Sequence, residues 1–152
     1  MRHMQTDYKT HYGKLLVMAF FSYASMYILM YSMVDTLSNV IPNLNQYYMA
    51  GLMTAPMIIL ELLLMGSMYG PKKINAAIIL VSLLVLTFCF IAIRTQFAIT
   101  DQQFLRSMIP HHAAAVLMVQ QTDIQDPEIK KLAENILSSQ QKEIDFMKSR
   151  LA

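Results

Sequence analysis

The stretch FLRSMIPHHAAAVLMVQQ, residues 104–121, places two adjacent histidines and a methionine within one turn of a predicted helix. Met108 precedes His111 and His112 by three and four residues, so its thioether shares a helix face with an imidazole. Met118 follows His111 by seven residues, which puts the two on one stripe, two turns apart. Thioether sulfur beside imidazole nitrogen favours copper, above all Cu(I), over Mg²⁺ or Ca²⁺. The spacing therefore predicts a soft-metal site.

Pro110 immediately precedes the two histidines. Adjacent side chains on an α-helix point about 100° apart, so both imidazoles rarely reach one ion from a straight segment. We expect the proline to kink the helix or to begin a new one, which would re-aim His111 and His112 and leave carbonyl oxygens unpaired. The alternative is a kinked helix whose histidines only cap it or face water.

The composition divides the chain into an apolar part and a soluble part. Of its 152 residues 55% are hydrophobic and 14% charged, which is too apolar for an ordinary soluble domain. Residues 15–93 carry four charged side chains, whereas residues 98–152 carry six basic and seven acidic ones. That nearly neutral tail argues against nucleic acid as a partner. We expect a cytoplasmic segment (1–14), a membrane domain (15–97) and a soluble domain (98–152).

Three apolar runs, residues 15–34, 47–69 and 74–93, are long enough to cross a bilayer, which takes about 20 residues per helix. The first loop carries only Asp35, whereas the N-terminal segment and the second loop are basic. The basic residues are Arg2, Lys9, Lys14, Lys72 and Lys73. The positive-inside rule then predicts a multi-pass protein of the bacterial inner membrane, with its N-terminus in the cytoplasm and its C-terminal domain in the periplasm.

Methionines recur at helical spacing in the first two runs, with Glu61 among them. An ionisable group within a span is costly unless protonated, paired or hydrated, so Glu61 should mark a functional or inter-helix contact. Tyrosine hydroxyls of the first run are its expected partners. A copper path through the membrane could use Met26, Met30, Met33, Met53, Met57, Glu61, Met65 and Met68. The alternative is packing, because methionine is a flexible filler of apolar space.

The soluble tail predicts two helices joined as an antiparallel hairpin. Thr100 or Asp101 can cap the first helix, and the sequence Asp-Pro-Glu at residues 126–128 is a strong start signal for the second. The short connection between them brings the helices together as neighbours. Two helices cannot cover each other's apolar faces, so we expect a homo-oligomer that completes a larger bundle.

Folding this hairpin at about residue 124 brings Gln140, Glu143 and Met147 nearest to the histidines. A buried polar group must be hydrogen-bonded, so Gln140 and Glu143 have two open interpretations. They either orient an imidazole around a metal or bond to the freed carbonyls and to Arg106.

The segments DQQFLRSMIPHHAAAVLM (101–118) and DPEIKKLAENILSSQQKEIDFM (126–147) carry a resemblance. Together they resemble the bacterial domain-of-unknown-function family 305 (DUF305) across about residues 98–149. The resemblance implies a ferritin-like helical fold, and copper binding through methionine and histidine as in some periplasmic members. It also implies a set of metal-associated residues in this chain, with two further residues that support them. The set is Met108, His111, His112, Met118 and Met147, supported by Gln140 and Glu143.

The leading prediction is therefore a membrane-anchored, all-α protein that sequesters copper, with Cu(I) favoured, or hands it to a periplasmic copper-handling protein. Two alternatives stay open: a copper-conducting transporter with a methionine-lined path, and a structural or assembly protein that binds no metal. An enzyme is not expected. A ferritin-like di-iron centre needs Glu-x-x-His, and none of Glu128, Glu134 and Glu143 has a histidine three residues later.

Overall fold

The computed structural model describes the backbone of residues 2–151 and the side chains of residues 8–151. The described chain is helical and contains no strand, which confirms the all-α prediction. It forms five α-helices: α1 (Arg2–Leu29), α2 (Leu44–Leu64), α3 (Lys72–Thr95), α4 (Asp101–Gln121) and α5 (Pro127–Leu151). Two 3₁₀ turns, Met30–Met33 and Leu37–Asn39, lie between α1 and α2.

Three helical segments are long and apolar enough to cross a membrane, as predicted: Tyr8–Met33, Leu44–Leu64 and Lys72–Thr95. The second one is shorter than the apolar run in the sequence, because α2 ends at Leu64 and the chain then turns. Gly66 begins this turn, and its carbonyl accepts a hydrogen bond from the Asn75 side chain (3.2 Å). Met65 and Met68 therefore lie outside the helix that was expected to carry them.

The chain folds as two compact units. One comprises the chain up to Leu29 together with Tyr47–Phe97, and we call it the membrane unit because it contains most of the three apolar helices. The other, which we call the C-terminal unit, comprises Met30–Gln46 and the chain from Ala98 onward. The sequence analysis assigned all of residues 15–97 to one membrane domain, whereas the structure groups the loop between α1 and α2 with the C-terminal helices.

In the membrane unit, the partner of Glu61 differs from the expected one. Its Oε1 accepts a hydrogen bond from the Tyr69 hydroxyl (2.8 Å), which comes from the turn after α2 and not from the first run. Burial and the neighbouring carboxylate raise the pKa of the Tyr69 phenol to about 12, so the phenol keeps its proton and remains the donor at neutral pH. Nearby, the Tyr12 hydroxyl donates to Asn75 Oδ1 (2.6 Å) and joins α1 to α3.

In the other unit, α4 and α5 begin where their capping residues predict. The Thr100 hydroxyl accepts a hydrogen bond from the Gln103 backbone N–H (3.4 Å). Asp126 Oδ1 accepts two, from the N–H groups of Glu128 (2.8 Å) and Ile129 (3.1 Å), while Pro127 occupies the first helical position. The two helices pack around a shared buried cluster: Ile109, Ala113, Val116, Ile144 and Met147.

Candidate metal centre

Helix α4 passes through Pro110 without ending, so the chain does not begin a new helix there, which was the second of the two outcomes expected at the proline. A proline inside a helix removes one backbone hydrogen bond and costs about 3 kcal/mol or more. Burial offsets that cost here, because Ile109 and Val116 are fully buried and each large apolar side chain contributes roughly 1.5–3 kcal/mol. Without a break, the two imidazoles diverge: His112 is buried, whereas His111 is exposed.

His112 is held at both ring nitrogens. Nδ1 lies 2.9 Å from the Met108 carbonyl oxygen, one turn earlier on α4, and Nε2 lies 2.7 Å from Glu143 Oε2 on α5. A carbonyl oxygen can only accept, so Nδ1 carries a proton and donates it to Met108. The Nε2–Glu143 contact then needs a second proton, on the imidazole or on the carboxyl group.

Two methionines accompany this pair. Met108 precedes His112 by four residues on α4, and Met147 follows Glu143 by four residues on α5, so each lies one turn from the contact between the helices. Met147 is buried in the cluster that α4 and α5 share, and Met108 packs against the same cluster. The structure thus places one imidazole in contact with one carboxylate, with one methionine a turn away from this contact on each helix. We call Met108, His112, Glu143 and Met147 the quartet.

The other predicted ligands lie apart from the quartet. The His111 ring centroid is 6.1 Å from that of His112, with the planes at 62°, and the side chain faces outward. Met118 is half exposed, in a shallow apolar groove with Ile129 and Leu132 near the connection between α4 and α5. Gln140 is half-buried, and the oxygen that meets the imidazole belongs to Glu143. The sequence analysis gave Glu143 only a supporting role, whereas it contacts His112 directly.

The segment of residues 30–46, which comprises the loop between α1 and α2 and the first residues of α2, completes this unit, a role that the sequence analysis missed. Val34 and Ile41 pack against the buried cluster of α4 and α5. Lys148 on α5 donates a hydrogen bond to the Ser38 hydroxyl (3.2 Å), and Gln103 Oε1 on α4 accepts one from the Leu44 backbone N–H (3.0 Å). Branched apolar residues in this segment, Val34 and Ile41 among them, were the available signal.

The quartet can be tested as a donor set for copper. Among the described side chains, residues 8–151, no three His, Cys, Asp or Glu residues cluster as a metal site. A cation at His112 would therefore draw its further ligands from the two thioethers as well as from Glu143. Thioether and imidazole donors suit Cu(I), and a carboxylate adds a ligand acceptable to Cu(II). The residues present fit copper better than a hard cation.

The methionines predicted to line a membrane path are distributed over both units. Met30 and Met33 form the 3₁₀ turn that belongs to the C-terminal unit, while Met65 and Met68 lie in the turn after α2. Met26 and Met57 are half-buried, and Met53 is exposed. One groove of the membrane unit, of about 580 Å³, is lined without any methionine. A path for copper stays a prediction.

Comparison with known proteins adds a family and a relative. The sequence pattern of the family described as "Domain of unknown function (DUF305)" matches residues 92–151. The chain is also 36% identical over 142 residues to "Uncharacterized protein L153" of Acanthamoeba polyphaga mimivirus, covering 90% of each chain. No solved structure matches. A viral relative argues against the bacterial origin that was expected, and the compartment on either side of the membrane stays a prediction.

Proposed function

Because the chain belongs to the DUF305 family, we propose that it is a membrane-anchored copper-binding protein that holds Cu(I) between α4 and α5. His112, Met108 and Met147 would be the ligands. Glu143 would be a fourth ligand and would bind through a carboxylate oxygen. The protein then sequesters copper or hands it to another copper-handling protein on the same side of the membrane. This proposal includes no catalytic step.

The observation that carries the proposal is the orientation of His112. Metal-binding histidines almost always donate one ring N–H to a carbonyl or carboxylate, which fixes the other nitrogen toward the metal. His112 donates through Nδ1 to the Met108 carbonyl, so Nε2 faces the gap between the helices. The Glu143 side chain opposite is 57% exposed and can swing into water. His112 Nε2 would then be open to a metal ion, with Met108 and Met147, one turn away on each helix, as the proposed sulfur donors.

The membrane anchor sets where this takes place. The three apolar helices supply the spans, and the basic N-terminal segment and α2–α3 turn favour one side of the bilayer. With three crossings, the helices α4 and α5 lie on the opposite side. Residues 30–46 also connect two spans on that side, which agrees with their packing against Ile109 and its neighbours.

We also propose a homo-oligomer, which is supported by the apolar side chains that α4 and α5 leave exposed. If the pair is an antiparallel, ferritin-like hairpin, a second copy is needed to complete a four-helix bundle. Several large apolar side chains of these helices are about half exposed or more: Phe104, Met118, Ile129, Leu132 and Phe146. A second copy that packs on this surface removes these side chains from water.

Titration of the full-length protein in mild detergent with Cu(I), against a competing chromophoric chelator, tests the proposal. We expect His112→Ala to lower the Cu(I) affinity at least about tenfold, because even residues that only support a ligand are worth 10–100-fold. His111→Ala is the matched control, since the neighbouring imidazole is exposed and should contribute little. Equal affinities of the wild type and His112→Ala would remove the proposed site.

A structural role for the quartet is the competing explanation, because His112 already has oxygen partners at both nitrogens. Under that explanation, the wild-type protein would bind Cu(I) no more tightly than the His112→Ala variant, and His112→Ala would change only the thermal stability. Measurement of both quantities on the same preparations separates the two functions.

A further inference from the structure

The membrane unit contains an apolar groove that the proposed metal function does not use. The groove has a volume of about 580 Å³ and lies along one side of α3, between α3, α2 and α1. Small side chains leave this space open, among them Gly51 and Ala55 on α2 and Ala77 on α3. Its volume falls within the range of about 300–1,000 Å³ that is typical of small-molecule sites. Something apolar must fill it in a membrane.

The length of the groove matches one leaflet of a bilayer. Its α3 wall extends from Lys73 to Val85, which at 1.5 Å per residue is about 18 Å. Half of a hydrocarbon core of about 30 Å is about 15 Å. A lipid acyl chain that enters from the Lys73 end would therefore reach roughly to the middle of the membrane. A second groove of about 430 Å³ shares the lining residues Ile58, Ile74 and Ile78 and offers space for another chain.

The Lys73 end of the groove is strongly basic. The hydrogen bond from the Tyr12 hydroxyl to Asn75 Oδ1 (2.6 Å) holds that part of α1 level with the first turn of α3. Four exposed lysines lie within about one helical turn, along the chain, of these two residues: Lys9, Lys14, Lys72 and Lys73. On α2, Glu61 has its Oε1 engaged by the Tyr69 hydroxyl, and Asp7, whose side chain lies outside the described residues, adds one acid to the N-terminal segment.

From this combination we infer that the groove binds an anionic glycerophospholipid of the adjacent leaflet. The acyl chain lies against Ala77 and Val81, and the phosphate and headgroup lie among the lysines at the mouth. Basic clusters immediately beside membrane spans attract anionic lipids, and an apolar groove at the same place adds a saturable site for the chain. This inference depends on membrane insertion alone and is independent of copper.

Native mass spectrometry of the full-length protein, titrated in mild detergent with phosphatidylglycerol or phosphatidylcholine, tests the inference. We expect phosphatidylglycerol to bind saturably and at least about tenfold more tightly than phosphatidylcholine. The reason is that several lysines lie near the headgroup and each contributes up to about tenfold in affinity. Lys72→Gln combined with Lys73→Gln should bring the two lipids close to equal. The matched control is the other adjacent pair, Lys130→Gln with Lys131→Gln on α5, which should retain the preference.

Filling the groove provides a second, independent measurement. Ala77→Phe should lower binding of both lipids, because it occupies the acyl-chain space and leaves the lysines in place. Equal binding of the two lipids by the wild type, or an unchanged preference in the Lys72/Lys73 variant, overturns the inference. The inference is also overturned if the wild type forms a dimer that can be cross-linked through this groove and the Ala77→Phe variant does not. A second copy of the chain would then be the occupant. Cu(I) affinity should stay unchanged in all these variants.

Discussion

Met147→Leu separates a packing role from a ligand role at one position. Met147 is 6% exposed and packs in the cluster that joins α4 and α5. A swap between leucine and methionine nearly conserves volume and usually costs less than about 1.5 kcal/mol. For a chain of about 150 residues that corresponds to a decrease of at most about 6 °C in the melting temperature. Packing alone therefore predicts a small loss of stability and nothing else.

The loss of sulfur has a separate effect on copper. If Met147 is a ligand, its thioether should contribute at least about tenfold to Cu(I) affinity, or about 1.4 kcal/mol. The assay is chelator competition under reducing conditions, combined with thermal unfolding of the same samples. Met118→Leu is the control, because Met118 is half exposed and distant along α4 from the quartet. A Met147→Leu protein that binds Cu(I) as tightly as the Met118→Leu protein would refute the ligand role.

Three further changes test the structure around the quartet. Ile109→Ala should destabilise the C-terminal unit by about 2–5 kcal/mol, because Ile109 is fully buried. Denaturant unfolding measures this loss of stability, and a loss smaller than that of a variant at an exposed site would contradict the packing. Asp126→Ala should cost about 0.5–2 kcal/mol by removing the cap of α5, with Asp123→Ala as a control in the connection. Glu143→Gln keeps an acceptor for His112 but removes the carboxylate, so Cu(II) affinity should fall more than Cu(I) affinity in parallel titrations. Equal losses for the two ions would mean that the carboxylate is not a ligand.

The beginnings of α4 and α5 were predictable because capping is local. Thr100 and Asp126 satisfy backbone N–H groups two or three residues later, so the sequence alone specifies where each helix begins. The opposition of Glu143 to the histidine segment followed from the length of the connection. Its direct contact with His112 did not, because a shift of one residue along a helix rotates a side chain by about 100°.

The outcome at Pro110 depended on packing that the sequence does not display. The intrinsic preference of proline favours a break, but Ile109 and Val116 on the same helix are fully buried against α5 and the loop. The contributions of Val34 and Ile41 to that cluster come from a segment more than sixty residues earlier in the chain. A local sequence pattern carries no information about such a long-range contact, so the continuous helix could not be predicted.

The partner of Glu61 illustrates the same limit inside the membrane unit. The sequence indicated that an acid in a span needs a partner, and a tyrosine hydroxyl supplies it. The tyrosines of the first run were the expected donors. Tyr69 takes that role because α2 ends at Leu64, earlier than its apolar run, and the following turn brings the phenol back toward Glu61.

The most direct test of the central claim is a crystal structure of the full-length protein grown with Cu(I) or Ag(I), with anomalous density used to locate the metal. The quartet predicts one peak between α4 and α5, at bonding distance from His112 Nε2 and from the sulfur atoms of Met108 and Met147. A peak at His111, at Met118 or among the membrane methionines, with His112 still bonded to Glu143, would contradict the assignment.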